Sequence, residues 1–142
     1  MKICSIILSA GKSSRMRSDL PKPFHKIAGM KMIDWVINTN LSIKLDKLLI
    51  VSPNKSSFLN YTDKYEVVIQ KVPRGTGDAV KCALSMIENF KGIVIVSYAD
   101  TPFISKSTLS KLVKSIKSNN DIAITGFIKN ELNTYGKIFL SK

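Results

Sequence analysis

Short β-rich runs alternate with amphipathic stretches along the chain, and this alternation constrains the fold more than any other feature. Residues 3–8 are an isoleucine-rich apolar run that ends in small residues at 9–14. Leu48, Leu49, Ile50 and Val51 form a second run closed by Ser52 and Pro53, and Val67, Val68 and Ile69 form a third. Residues 93–96 are almost wholly apolar, the composition of a strand covered on both faces of a parallel sheet. Between these runs the spacing becomes helical. Residues 31–40 carry Met32, Ile33, Trp35, Val36 and Ile37, with Trp35 expected in the core. Over 78–90, Ala79, Ala83, Met86, Ile87 and Phe90 recur at helical intervals and predict one buried stripe. Residues 105–117 predict a further helix with Ser105 as its cap. Residues 122–124 and 137–140 are two more strand candidates. Strand, helix and strand in repeated order predict an α/β fold, a Rossmann-like and mostly parallel sheet with helices on both faces.

At 142 residues the chain corresponds to about one domain and can bury a core without disulfide or metal staples. In a sheet of this kind, ligands bind beyond the carboxyl ends of the strands. The segments to inspect are therefore those that follow Leu8, Ile69 and Val96.

Charge narrows the partners. The chain has 22 Lys and Arg against 10 Asp and Glu, for a net charge of +12. Nucleic acid, an anionic membrane and a phosphate-rich small substrate would each gain from that field. The basic residues are spread along the chain, however, and Lys106, Lys111, Lys114 and Lys117 fall opposite Leu109, Leu112, Val113 and Ile116, the pattern of a solvated helix face. Neither a nucleic-acid nor a membrane partner is expected. Two distant cysteines and one histidine, His25, supply no metal-ligand cluster, and unpaired thiols suit a cytoplasmic setting. The apolar run after Lys2 is too short for a signal peptide or a membrane span.

Three segments carry chemistry. The first reads Leu8, Ser9, Ala10, Gly11, Lys12, Ser13, Ser14, Arg15, Met16, followed by Pro21 and Lys22. Small residues after a strand let backbone N–H groups approach an oxyanion, and Lys12, Arg15 and Lys22 add cationic donors. The spacing is neither that of a Walker loop nor that of a dinucleotide-binding fingerprint. The second segment runs from Gln70 through Gly75, Thr76, Gly77 and Asp78, where a helix start offers free N–H groups. A plain helix turn needing a glycine accounts for part of that pattern, and Asp78 reads as an acidic first-turn residue. The third is Tyr98, Ala99, Asp100, Thr101, Pro102, with Asp100 a hard oxygen ligand just past a strand or, more plainly, a turn aspartate.

Taken in order, Leu-x-Ala-Gly-x-x-x-Arg-Met with a following Pro-Lys, then Gln with Gly-Thr, then Tyr-Ala-Asp-x-Pro, resemble the nucleotidyltransferases that couple a nucleoside triphosphate to a sugar phosphate. The uridylyltransferase domains of N-acetylglucosamine-1-phosphate uridylyltransferases are the most similar group, and Tyr135, Gly136 and Lys137 echo their Tyr-Gly-Arg. The resemblance covers residues 3 to about 140. It implies UTP or another nucleoside triphosphate and a sugar phosphate as partners, with Mg2+ as cofactor. By resemblance, Arg15 and Lys22 are catalytic and neutralise phosphate charge. Leu8, Ala10, Gly11, Lys22, Gln70, Gly75, Thr76, Tyr98, Ala99 and Gly136 bind substrate, and Asp100 holds the metal. The implied reaction is attack of a sugar 1-phosphate oxygen on the α-phosphate with release of pyrophosphate. Cytidylyl or guanylyl transfer, and a catalytically silent nucleotide-binding domain, are the alternatives. Ala99 stands where relatives usually carry glycine, and residues 1–142 are expected to lack the family's C-terminal sugar-binding part.

Overall fold

A computed structural model describes residues 1–11, 16–128 and 136–139. Along the chain come β1 (Lys2–Leu8), the strand pair β2 (Lys26–Ile27) and β3 (Met30–Lys31), α1 (Met32–Leu41) and β4 (Lys47–Ser52). These are followed by α2 (Leu59–Thr62), β5 (Glu66–Ile69), α3 (Thr76–Leu84), β6 (Gly92–Tyr98) and α4 (Lys106–Lys117). Four strands form a wholly parallel sheet in the order β5-β4-β1-β6. β1 is central: it pairs with β4 on one side, and on the other Lys2 to Leu8 lie beside Gly92 to Tyr98.

The period of two along β1 decides which helix covers which face. Cys4, Ile6 and Leu8 pack with Leu49 and Val51 under Ala79, Ala83 and Ile87 of the α3 segment. Ile3 and Ile7 turn to the opposite face. There, Ile7 and Ile50 join Phe24, Ile33, Val36, Ile37, Phe58 and Tyr61 around α1, while Ile3, Ile93 and Ile95 meet Leu109 and Val113 of α4. Helices thus cover both faces, as expected from the sequence. Ile6, Ile7, Leu49 and Ile50 have no exposed surface, and each such side chain contributes about 1.5–3 kcal/mol of burial. Burial also pushes the Cys4 thiol pKa up, as befits a cysteine that serves as a small hydrophobe.

One polar group ties these layers together. Asn40 at the end of α1 is buried, accepts hydrogen bonds from Ser5 Oγ (2.8 Å) and Ser97 Oγ (3.3 Å), and donates to Val36 O. It fixes α1 over β1 and β6 with its amide oxygen and nitrogen both satisfied.

Several expectations change. The helix expected over 78–90 is instead α3 at Thr76–Leu84 followed by a 3-10 turn at Ser85–Ile87. Ala79, Ala83 and Ile87 are buried as the stripe required, but Met86 is 46% exposed because the tightened turn rotates it outward. Trp35 is half-buried, with its indole N–H donating to Ile27 O at 2.9 Å. Its position is set by that bond over the β2–β3 pair. Residues 122–124 form no strand, and Ile122 and Ile124 are 77% and 71% exposed. Among the described residues no strand pairs with them, and without a ladder the apolar alternation has nothing to hold it. Residues 137–139 are likewise irregular, and Leu140 lies outside the described residues. The Ser105 cap forms as read, accepting from Thr108 N at 3.1 Å, and Lys106, Lys111, Lys114 and Lys117 are exposed.

Candidate functional site

The chain runs β1, β4, β5 outward on one side of the sheet and then crosses back to lay β6 on the other side of β1. Loops on the two sides of such a reversal diverge and leave a crevice at the carboxyl ends of the strands. Three backbone bonds beyond the strand ends set its walls. Ser9 N donates to Val51 O, Gln70 N to Ser52 O and Ala99 N to Leu8 O, at 2.8, 2.8 and 3.0 Å. The segments after β1, β5 and β6 are thereby held side by side.

Between them lies a cavity of about 310 Å3, within the usual range for small-ligand sites. Of the residues expected to bind substrate, Leu8, Ala10, Gly11, Lys22, Gln70, Gly75, Thr76, Tyr98 and Ala99 all line it, together with Asp100. Gly136 is exposed and lies outside its wall. Arg15, with Lys12, Ser13, Ser14 and Tyr135, lies outside the described residues.

Lys22 opens a 3-10 turn, Lys22–Phe24, that follows Pro21 and is anchored by buried Phe24. His25, at the end of this turn, shares a 3.0 Å hydrogen bond with Leu20 O through its Nε2. From this base the Lys22 Nζ reaches Asp100 Oδ2 at 2.7 Å. Asp100 sits in a turn closed by Thr101, whose N–H and hydroxyl both donate to Tyr98 O. The aspartate is thus a turn residue whose carboxylate is directed to a lysine at the cavity edge. Both partners are more than one-third exposed, so the pair contributes little to stability. Its value is placement, bringing one cation and one hard anionic oxygen to the same rim. Ala99 is buried in the cluster around Phe24.

The opposite wall is built on Gln70, which is 3% exposed. Its Nε2 donates to Asp78 Oδ2 at 2.7 Å and to Gly75 O at 3.3 Å. Gly75 has φ +114°, a conformation that excludes side chains in practice, so this position requires the glycine. Thr76 and Gly77 then start α3, directing its amino-terminal end at the cavity.

Ser9, Pro23, Pro73 and Ala79 also line the cavity without having been singled out in the sequence. Nothing in their residue types marks them as ligand contacts; the strand order places them. Ser9 is 7% exposed, and its hydroxyl has no hydrogen-bond partner among the described residues.

Residues 5–134 match the model of the MobA-like NTP transferase domain. The chain belongs to the MobA-like NTP transferase family. Among curated proteins, this chain is 38% identical over 144 residues to the bifunctional protein GlmU of Buchnera aphidicola subsp. Acyrthosiphon pisum (strain Tuc7). It is 32% identical over 145 residues to that of Ruegeria sp. (strain TM1040). In both cases 99% of the chain is matched, but only 31% and 32% of the relative, so the chain spans about a third of their length. In fold it is similar to Rv0371c from Mycobacterium tuberculosis H37Rv, with TM-score 0.70, 19% identity and coverage of 82% of this chain and 61% of that one. It also resembles a CMP:2-keto-3-deoxy-manno-octonic acid synthetase complexed with CTP, with TM-score 0.66, 17% identity and coverage of 84% and 48%.

Proposed function

We propose that the protein transfers UMP from UTP to a sugar 1-phosphate, N-acetylglucosamine 1-phosphate by its motif resemblance to N-acetylglucosamine-1-phosphate uridylyltransferases, releasing pyrophosphate. The observation that carries this reading is convergence: residues drawn from three separate segments by their likeness to one family line a single cavity, with Lys22 and Asp100 at its rim.

The geometry supports a division of labour. The small residues Ala10 and Gly11 leave room for the nucleotide to lie against the end of β1. Gln70, Gly75 and Thr76 form the wall that meets the base, and Lys22 supplies positive charge for the phosphates. Such transfer needs positioning and charge neutralisation more than covalent help from the protein. The attacking phosphate oxygen is already ionised near neutral pH, so no general base is required. Arg15 is assigned to the phosphates by the family pattern.

Asp100 has the donor chemistry for Mg2+. That ion takes hard oxygen ligands in an octahedron and is commonly bound through one or two carboxylates, with waters and substrate phosphates completing the shell. One carboxylate at the cavity rim fits that requirement. Among the described residues there is no cluster of three or more metal-ligating side chains, which also suits an ion brought in with its nucleotide. When bound, Mg2+ would polarise the α-phosphate and offset charge on departing pyrophosphate.

Cytidylyl transfer is the second reading, favoured by the fold likeness to a synthetase complexed with CTP. Thermal-shift and calorimetric titration with UTP, CTP and GTP, followed by pyrophosphate release with N-acetylglucosamine 1-phosphate and Mg2+, tests both. The expected result is the largest shift with UTP and turnover lost in Asp100→Ala. A shift with UTP but no pyrophosphate leaves a nucleotide-binding domain without transfer, and no shift with any nucleotide refutes the proposal.

A further inference from the structure

Gln70 is the buried amide of the cavity wall, and an amide has two faces of opposite hydrogen-bonding character. A glutamine free to turn over would offer either a donor or an acceptor to a ligand and so read neither edge of a base reliably. In this chain the choice is made by chemistry. Nε2 lies 2.7 Å from Asp78 Oδ2 and 3.3 Å from Gly75 O. Both neighbours are acceptors only, so the reversed amide would set its oxygen against two oxygens. The carboxylate bond is charge-assisted and the stronger of the two. Among the described residues nothing donates to Oε1, which is the polar atom of Gln70 left for a ligand.

We infer that Asp78 is a positioning residue for base recognition, locking Gln70 with its carbonyl oxygen toward the nucleotide. This rests on the reading of Gln70 as the base contact given above. Asp78 occupies the third position of α3, where an acidic side chain gains from the helix dipole. Here its carboxylate accepts from a side chain eight residues earlier in the chain. An acceptor held at the wall pairs with a base that presents a ring N–H, as uracil does at N3. It is repelled by the unprotonated N3 of cytosine. Asp78 thereby acts through Gln70 on the choice between UTP and CTP.

Asparagine at position 78 separates this role from mere packing, because its own amide tolerates either orientation of Gln70. In Asp78→Asn and Asp78→Ala, the ratio of CTP to UTP dissociation constants measured by calorimetry should fall about 3- to 10-fold, the worth of one hydrogen bond. Without nucleotide, the Gln70 side-chain NH2 protons should exchange with solvent faster in Asp78→Ala than in the wild type by 15N-resolved NMR. If Gln70→Ala abolishes base preference while both Asp78 variants keep it, or if the NH2 exchange rate is unchanged, the inference is overturned and the base-site reading stands. If Gln70→Ala keeps the preference, or the wild type binds no nucleotide, the base-site reading itself falls.

Discussion

Replacing Ser9 with alanine removes a hydroxyl that is buried without a hydrogen-bond partner among the described residues, and the protein should become more stable. Ser9 is 7% exposed, and its Oγ meets no donor or acceptor among the described residues. Its backbone is held in place independently by the bond from its N–H to Val51 O, so the side chain can change without moving the loop. A buried, unpaired hydroxyl costs about 1–3 kcal/mol. The void left by one oxygen, on the order of 10 Å3, returns only about 0.2 kcal/mol at ~24 cal/mol per Å3. The expected gain is therefore about 1–2.5 kcal/mol. For a chain of 142 residues the entropy of unfolding is about 0.3 kcal/mol/K, which converts the gain to a rise in Tm of about 3–8 °C. Scanning calorimetry gives the Tm, and urea unfolding with an unchanged m-value shows that the denatured state is not the cause. Ser5→Ala is the internal control. That serine is fully buried but donates to Asn40 at 2.8 Å, so its loss should lower stability by about 1 kcal/mol. A Ser9→Ala protein that melts below the wild type would refute the reasoning, since the hydroxyl would then have a stabilising partner in solution.

Two other substitutions probe packing and titration. A Cβ at Gly92 would run into the backbone carbonyl of Lys2, with which Gly92 is paired across β1 and β6; Gly92→Ala should cost about 1–3 kcal/mol, read as a lower urea midpoint, whereas Gly77→Ala meets open space and should not. Tyr61 is held neutral, its pKa raised first by burial and then by its 2.7 Å hydrogen bond to Asp34. Its contribution to stability is complete below about pH 10, the ordinary tyrosine value, and is lost as pH rises above it. The difference in stability between wild type and Tyr61→Phe should accordingly narrow between pH 10 and 11, and a constant difference would show that the phenol is not shifted.

Much of the fold could be read from periodicity because its strands and helices obey simple spacings. Residues 3–8, 48–51, 67–69 and 93–96 became strands, and α1 and α4 lie where apolar residues recur at helical intervals. The β2–β3 pair escaped notice because its turn is unusual: Ala28 and Gly29 both have positive φ, 49° and 82°. A two-residue hairpin needs that geometry, but its common sequence signal is Asn-Gly or Asp-Gly, and Ala-Gly does not announce it. Residues 122–124 erred the other way, since alternation specifies a strand only when another strand is there to pair. The site divided along the same line. Leu8, Ala10, Gly11, Gln70, Thr76 and Asp100 were expected at one site from the order of three motifs, and all of them line the cavity. The bond of Asp78 to Gln70 and the place of Ser9 in the cavity wall depend on neighbours that no local pattern reveals.

The placement of β1 also has a consequence in time. Its outer neighbour β6 pairs Lys2 with Gly92 and Leu8 with Tyr98, so the first described strand is completed by the last described one. At about 5–20 residues per second, the ribosome takes roughly 5–18 s to deliver that partner. In the second half of this interval, once β4 has been made, the most buried strand of the sheet still has one open edge, and pairing with β4 alone must hold it. Contacts this distant in sequence also slow refolding of the finished chain, which makes the N-terminal strand the part that waits longest for its native surroundings.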